Sequence, residues 1–260
     1  MVNCLVTGSE GYVGRHLIDL IGSKNTVKFD IKQTIMQDVK HFHTLLNNPI
    51  SHIVHLASLC EDQNSVNFPL SYFENNLCGT VNLLEYARRH DVEKFLFASS
   101  ASAIEHVTPY GLTKHSGEEW CKLYHDLYGM KICVLRIFNI YGPKNPKGVI
   151  RDLMKQRTND TLHIFGDGTQ IRDYVHISDV VKNIKELMAN ESDGLLEIGT
   201  GVKTSVNDLI FLFEWELKRR FHVEHLPRRV GDINCSYAKH PYLTTFIPIQ
   251  KGLRRMLEQT

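Results

Sequence analysis

In Tyr110-Gly111-Leu112-Thr113-Lys114 a phenol and an ammonium stand four residues apart, so on a helix they share one face. A tyrosine hydroxyl ordinarily ionises at about pH 10, too high for a base at neutral pH, and a neighbouring ammonium favours the phenolate. Tyr110 is therefore a candidate proton shuttle with Lys114 as its electrostatic partner. A Tyr-x-x-x-Lys pair alone usually marks only a solvated helix face. Here it follows Phe97-Ala98-Ser99-Ser100, an expected strand end, and ligands of open parallel sheets bind outside the carboxyl ends of the strands.

A second constellation lies near the beginning of the chain. Gly8-Ser9-Glu10-Gly11-Tyr12-Val13-Gly14 follows an apolar run and opens a helical pattern. Its Gly-x-x-Gly-x-x-Gly spacing differs by one residue from Gly-x-Gly-x-x-Gly, yet it permits the same tight turn and close approach of a dinucleotide pyrophosphate to a helix N-terminus. A glycine-rich turn often serves only as a turn. Its position between strand and helix, with Asp30 ending the following strand, favours binding. The Asp30 carboxylate can accept both hydroxyls of an adenosine ribose and repel a 2′-phosphate, which predicts NAD rather than NADP; nearby Lys32 works against that preference. Lys114 can reach a cofactor ribose and so fix the reacting ring beside a substrate carbon.

These groups need a scaffold that gathers strand ends. Short apolar runs at Cys4 to Thr7, Val27 to Asp30, His52 to Ala57, Phe95 to Ser99 and Ile132 to Phe138 alternate with helical spacings such as Leu17, Ile18, Leu20 and Ile21, or Leu77, Val81, Leu84 and Tyr86. With right-handed crossovers this predicts an α/β fold, a doubly wound parallel sheet with helices on both faces. After Tyr141-Gly142-Pro143 the elements become shorter and less regular. The expected division is a dinucleotide-binding domain over residues 1–143 and a smaller C-terminal substrate lobe over 144–260, with strands near 174–198 rejoining the first domain.

Composition bounds the partners. The chain of 260 residues is 42% hydrophobic and 23% charged, within the range of ordinary globular proteins. Its 30 basic and 29 acidic residues give no electrostatic reason to expect nucleic acid or an anionic membrane. No Cys-x-x-Cys pair occurs among Cys4, Cys60, Cys78, Cys121, Cys133 and Cys235, which are expected to be reduced core residues. No apolar run is long enough for a membrane span, and the first strand begins close to Met1, so a cytoplasmic protein without a signal peptide is expected. His41 and His43, and His52 and His55, lack the supporting ligands of a metal site.

Taken together, the motifs resemble those of the extended short-chain dehydrogenase/reductases, the NAD-dependent sugar epimerase/dehydratase family with its Rossmann domain. Beyond the glycine turn and Tyr110 with Lys114, they include His55-Leu56-Ala57, Asn76 with Gly79-Thr80, Ser99-Ser100-Ala101-Ser102, Arg136-Ile137-Phe138-Asn139, Tyr141-Gly142-Pro143, Gly166-Asp167-Gly168-Thr169, Arg172-Asp173-Tyr174 and Arg229-Val230-Gly231-Asp232. The resemblance implies that Ser100 hydrogen-bonds the sugar hydroxyl or ketone while Tyr110 moves its proton. It places Gly8, Gly11, Tyr12, Val13, Gly14, Asp30, Asp38, Leu56, Ala57 and Ser58, together with Tyr110 and Lys114, at the cofactor. Asn139 and Arg172 would meet the diphosphate, where an arginine fork suits an anion, and Arg229 and Asp232 the nucleoside ribose. For Arg172 and Asp173 a local ion pair is the plainer alternative. The resemblance also implies a homodimer built from helices near Ser71 to His90 and Thr113 to Tyr128.

The sequence departs from the family pattern in places. Ser100 and Tyr110 are only ten residues apart, Ala103-Ile104-Glu105 replaces the usual Val-Tyr-Gly, and Glu197 stands where relatives often have asparagine. Ala101 and Ser102, rather than acidic residues, follow Ser100, which argues against dehydratase and decarboxylase chemistry. The resemblance then implies a nucleotide-sugar epimerase that oxidises a sugar carbinol to a ketone and returns the hydride to the other face. A nucleotide-linked keto-sugar reductase or dehydrogenase is the alternative among enzymes, and a non-catalytic NAD(P)-binding sensor is the alternative outside them.

Overall fold

The computed structural model describes residues 3–24, 26–30 and 49–259. It divides into two compact units, one of residues 1–136 and 181–196, the other of residues 137–180 and 197–260.

The first unit is built on a six-stranded sheet. β1 (Cys4–Thr7), β2 (Thr26–Phe29), β3 (His52–His55), β4 (Lys94–Ser100) and β5 (Ile132–Ile137) are joined by a strand at Gly194–Ile198, in the order Gly194–Ile198, β5, β4, β3, β1, β2. β1 pairs in parallel with both β2 and β3, and β3 with β4. All four residues of β1 and of β3 are buried, as strands covered on both faces must be. Leu5, Ile53, Phe95, Phe97, Leu83 and Leu84 fill the core against them. The order reverses direction at β1 and β3, so the crevice beyond their carboxyl ends is the switch point at which such sheets hold ligands.

Two helices matter for the site. The helix α1 (Tyr12–Ile21) starts directly after the glycine turn. The long helix Pro109–Tyr128, here termed the catalytic helix, is bounded by local chemistry: Thr108 caps it by accepting from the Gly111 N–H at 3.1 Å, Pro109 occupies its first turn, and Gly129 leaves it at φ +64°. A π-helical turn at Phe73–Cys78 precedes the helix Gly79–Arg89 and carries the buried Asn76.

In the second unit, strand Asn139–Tyr141 pairs in parallel with Tyr174–His176, and Thr161–Phe165 with His222–Leu226. Ile171–Arg172 lies between Thr204–Ser205 and Cys235–Ser236. Tyr141, Leu153, Leu162, Leu209, Phe213 and Leu253 form its core. The strand-like segments expected to rejoin the first domain thus behave differently. Gly194–Ile198 extends the central sheet, whereas Tyr174–His176 pairs within the second unit, and the observed division falls after Arg136 rather than near residue 143.

The cysteines correct one expectation. Cys4, Cys121 and Cys133 are buried and Cys78 half-buried, but Cys60 and Cys235 are exposed; all six are free thiols.

Candidate active site

The glycine turn is held by sterics that permit no other residue. Gly8 has φ +68°, and a Cβ there would lie 2.7 Å from the Ala57 backbone nitrogen; a Cβ on Gly14 would lie 2.2 Å from the Gly8 carbonyl oxygen. The Gly11 N–H closes the turn on that carbonyl at 2.9 Å. Asp30, buried just beyond β2, accepts from the Glu10 N–H at 3.0 Å, which brings its carboxylate to the turn. No side chain caps α1 and no acidic residue occupies its first turn. A dinucleotide pyrophosphate fits this cradle, since the helix N-terminus keeps its positive end and the backbone can be approached closely. Tyr12 and Val13 are half-buried in the first turn of α1, and Asp38 lies outside the described residues.

A chain of buried hydrogen bonds ties the turn to β3. The Ala57 N–H donates to Thr7 Oγ1 at 3.2 Å, Thr7 Oγ1 and His55 Nδ1 are 2.8 Å apart, His55 Nε2 and Thr80 Oγ1 are 3.0 Å apart, and the Thr80 hydroxyl donates to the Asn76 carbonyl at 2.6 Å. Because Thr80 donates onward and Thr7 accepts from Ala57, His55 is the neutral tautomer with its proton on Nε2. Burial, reinforced by the Lys114 charge, pushes its pKa down to about 3 and keeps it neutral. Asn76 then clamps Leu59, accepting its N–H at 2.8 Å and donating to its carbonyl at 2.9 Å, and so fixes the segment that carries Leu56, Ala57 and Ser58.

Ser100, Tyr110 and Lys114 come together along the last residues of β4, Tyr110 beside Ser100 and Lys114 on the Ala98 carbonyl of the same strand. Tyr110 is buried and shares a side-chain hydrogen bond with Ser100, whose Oγ also accepts from the Ser102 N–H at 3.2 Å. After a 3-10 turn at Ala101–Ala103 the chain returns so tightly that a Cβ on Gly111 would lie 2.5 Å from the Ser102 carbonyl oxygen. Glu105 and His106 are exposed in this connection, and His106 stacks on His115.

Lys114 is buried; its Nζ donates to the Ala98 carbonyl at 2.7 Å and stands 4.9 Å from the Phe97 ring centroid. Burial lowers its pKa to about 8, opposed by Cys60, Cys121 and Glu118. Burial drives the Tyr110 phenol well above the usual range, the Cys60 thiol adds to this, and the Ser100 hydrogen bond works the other way. Tyr110 is therefore held as an acid by the chain's own groups, and positive charge brought beside it favours the phenolate.

In the second unit Arg172 pairs not with Asp173 but with Asp232, its Nη2 donating to Oδ1 at 2.5 Å. Asp173 is fully buried and accepts from the Thr200 hydroxyl and N–H and from the Gly201 and Ala238 N–H groups. It is a structural hub rather than a local partner of Arg172. Arg229 is exposed with its guanidinium 4.0 Å from the Phe165 ring centroid, and the Asn139 side chain is exposed. The Glu197 carboxylate accepts from the His240 N–H at 2.7 Å.

Two features of the first unit escape the sequence reading. Cys60 lies close enough to Tyr110 and Lys114 to affect both, with no motif to mark it. Glu118 is bound to Arg136 and Ser99; its position four residues beyond Lys114 was the available signal.

Comparison with known proteins gives a consistent picture. The model of the NAD dependent epimerase/dehydratase family matches residues 4–199. A Methanocaldococcus jannaschii protein provisionally named UDP-glucose 4-epimerase is 33% identical over 271 residues, covering 90% of this chain and 88% of that protein. Among solved structures, Thermotoga maritima UDP-glucose 4-epimerase with UDP-glucose superposes with a TM-score of 0.86 at 27% identity, covering 99% of this chain and 98% of that one. Bacillus cereus UDP-glucuronic acid 4-epimerase, in complex with UDP-glucuronic acid and NAD, gives a TM-score of 0.83 at 25% identity, covering 98% and 99%.

Proposed function

Because the chain belongs to the NAD dependent epimerase/dehydratase family, we propose that it is a nucleotide-sugar epimerase acting at C4 of a UDP-linked hexose. NAD is its cofactor. The observation that carries the reading is the convergence of Ser100, Tyr110 and Lys114 at the end of β4, in the unit whose switch point holds the glycine cradle. A sensor would need the cradle but not the proton shuttle.

In this reading Gly8, Gly11, Gly14 and the start of α1 hold the pyrophosphate, Asp30 meets the adenosine ribose, and Leu56, Ala57 and Ser58 line the cofactor. When bound, NAD accepts and returns the hydride, and its positive ring adds to Lys114 in favouring the Tyr110 phenolate. Ser100 then orients the sugar hydroxyl, Tyr110 takes its proton as the carbinol is oxidised, and the same phenol returns a proton when the ketone is reduced on its other face. In the second unit Arg172 and Asn139 are assigned to the diphosphate and Arg229 and Asp232 to the nucleoside ribose. Deuterium placed at C4 of UDP-galactose tests the reading: UDP-glucose carrying the label at C4 is expected, and unlabelled product would contradict hydride return.

The Asp30 carboxylate at the turn predicts that NAD binds at least about tenfold more tightly than NADP, since a 2′-phosphate would meet a buried negative charge. Competitive fluorescence titration of the two cofactors checks this, and the reverse order would remove Asp30 from the ribose.

A homodimer and a cytosolic location belong to the same reading. Phe73, Leu123, Leu127 and Tyr128 leave apolar surface exposed on the segments expected to form the intersubunit helices. The free cysteines suit a reducing compartment. Light scattering at micromolar concentration is expected to give twice the chain mass, and a monomer would contradict the assignment.

A further inference from the structure

Three consecutive residues of β4 are each bonded by a different turn of the catalytic helix. The Ala98 carbonyl accepts from Lys114, the Ser99 hydroxyl donates to Glu118 at 2.5 Å, and Ser100 meets Tyr110. Glu118 is buried, and a buried carboxylate without a cation would give up its charge. Here Arg136 on β5 donates to both of its oxygens, Nε to Oε1 at 3.1 Å and Nη2 to Oε2 at 2.6 Å, a forked pairing that sets a cation against it and fixes it in direction. Glu118 thus joins the helix to two strands, one turn away from Lys114.

The surroundings of Lys114 give that carboxylate a second role. From its own helix Glu118 and Cys121 face it; from β3 and the segment after it come neutral His55 and the Cys60 thiol; from β4 come the Phe97 ring and the Ala98 carbonyl. Among these, Glu118 is the carboxylate, with Arg136 behind it as the opposing cation.

We propose that Glu118, held by Arg136, is a positioning residue of the reaction: it locks Ser99, and with it the strand end carrying Ser100, and its charge keeps Lys114 an ammonium in a buried site. The inference rests on the reading of Tyr110 and Lys114 as the acid/base pair. Removing the carboxylate takes the anion away from Lys114, whereas removing the guanidinium leaves Lys114 as the cation that must balance the carboxylate, which favours the ammonium. The two substitutions therefore act on Lys114 with opposite sign, which a merely structural role would not produce.

The test is an NMR titration of 13Cε-lysine-labelled protein, with the Lys114 signal assigned by its loss in Lys114→Met. Glu118→Gln is expected to lower the Lys114 midpoint by about one pH unit, Arg136→Gln to raise it, and the double variant to fall between the two. The alkaline limb of the turnover profile on UDP-galactose should follow the same order. If Glu118→Gln does not fold, Arg136→Gln and the double variant retain the comparison. Midpoints that stay put, or move in the same direction in both single variants, overturn the proposal while leaving the roles of Tyr110 and Lys114 standing. Full turnover in Tyr110→Phe would instead overturn those roles without touching the Lys114 titration.

Discussion

Tyr110→Phe is expected to lower turnover on UDP-galactose by about 100-fold to 10,000-fold, the usual cost of losing a positioned acid/base group, while leaving the fold and NAD affinity nearly unchanged. The phenol lies in a buried site already shaped by Ser100 and the start of the catalytic helix, so its ring keeps its packing when one oxygen is removed. Lys114→Ala should behave differently. It removes the ammonium that favours the phenolate and the group assigned to the cofactor ribose, so turnover and NAD affinity should fall together. Steady-state rates and NAD titrations on the two variants separate these effects. A Tyr110→Phe enzyme with near-normal turnover would show that the phenol is structural.

The second large effect is expected at Gly14. An alanine methyl there would stand 2.2 Å from the Gly8 carbonyl oxygen and 2.9 Å from the Ser9 Cα, both backbone atoms without a rotamer to escape into. Either α1 moves away from the turn or the turn opens. In both cases the N–H groups of the first turn lose their aim at the pyrophosphate. Gly14→Ala should therefore cost about 1–3 kcal/mol of stability, as overpacking typically does, and weaken NAD binding by about 100-fold or more. Denaturant unfolding and calorimetric titration measure the two, and NAD affinity equal to that of wild type would remove the turn from the cofactor site.

The strands nearest the site were legible in the sequence because they are short, apolar and fully buried: β1 spans the expected Cys4–Thr7, and β5 ends within one residue of the expected position. The pairing of Tyr110 with Lys114 on one helix face followed from their spacing alone. The contact of Tyr110 with Ser100 did not, because the chain returns between them through a tight turn that packs Gly111 against the Ser102 carbonyl. Arg172 and Asp173 show a different limit. Adjacent residues of an extended chain point to opposite sides, so Arg172 turns to Asp232, sixty residues away, while Asp173 turns inward to backbone donors from two distant segments. Glu118 carried a visible helical spacing to Lys114, but its meaning comes from Arg136 on β5 and Ser99 on β4, partners that only the folded sheet brings together. The exposure of Cys60 and Cys235 agrees with their polar neighbours, Glu61 and Asp62 after the first and Asn234 and Ser236 around the second.

The most direct test of the account is to incubate the purified protein with UDP-galactose and a stoichiometric amount of NAD, following sugar stereochemistry by proton NMR and NADH by its absorbance. Many turnovers to an equilibrium mixture of UDP-galactose and UDP-glucose are expected, with no net change in NADH. Accumulation of NADH in step with product, or bound NAD with no conversion of the sugar, would contradict it.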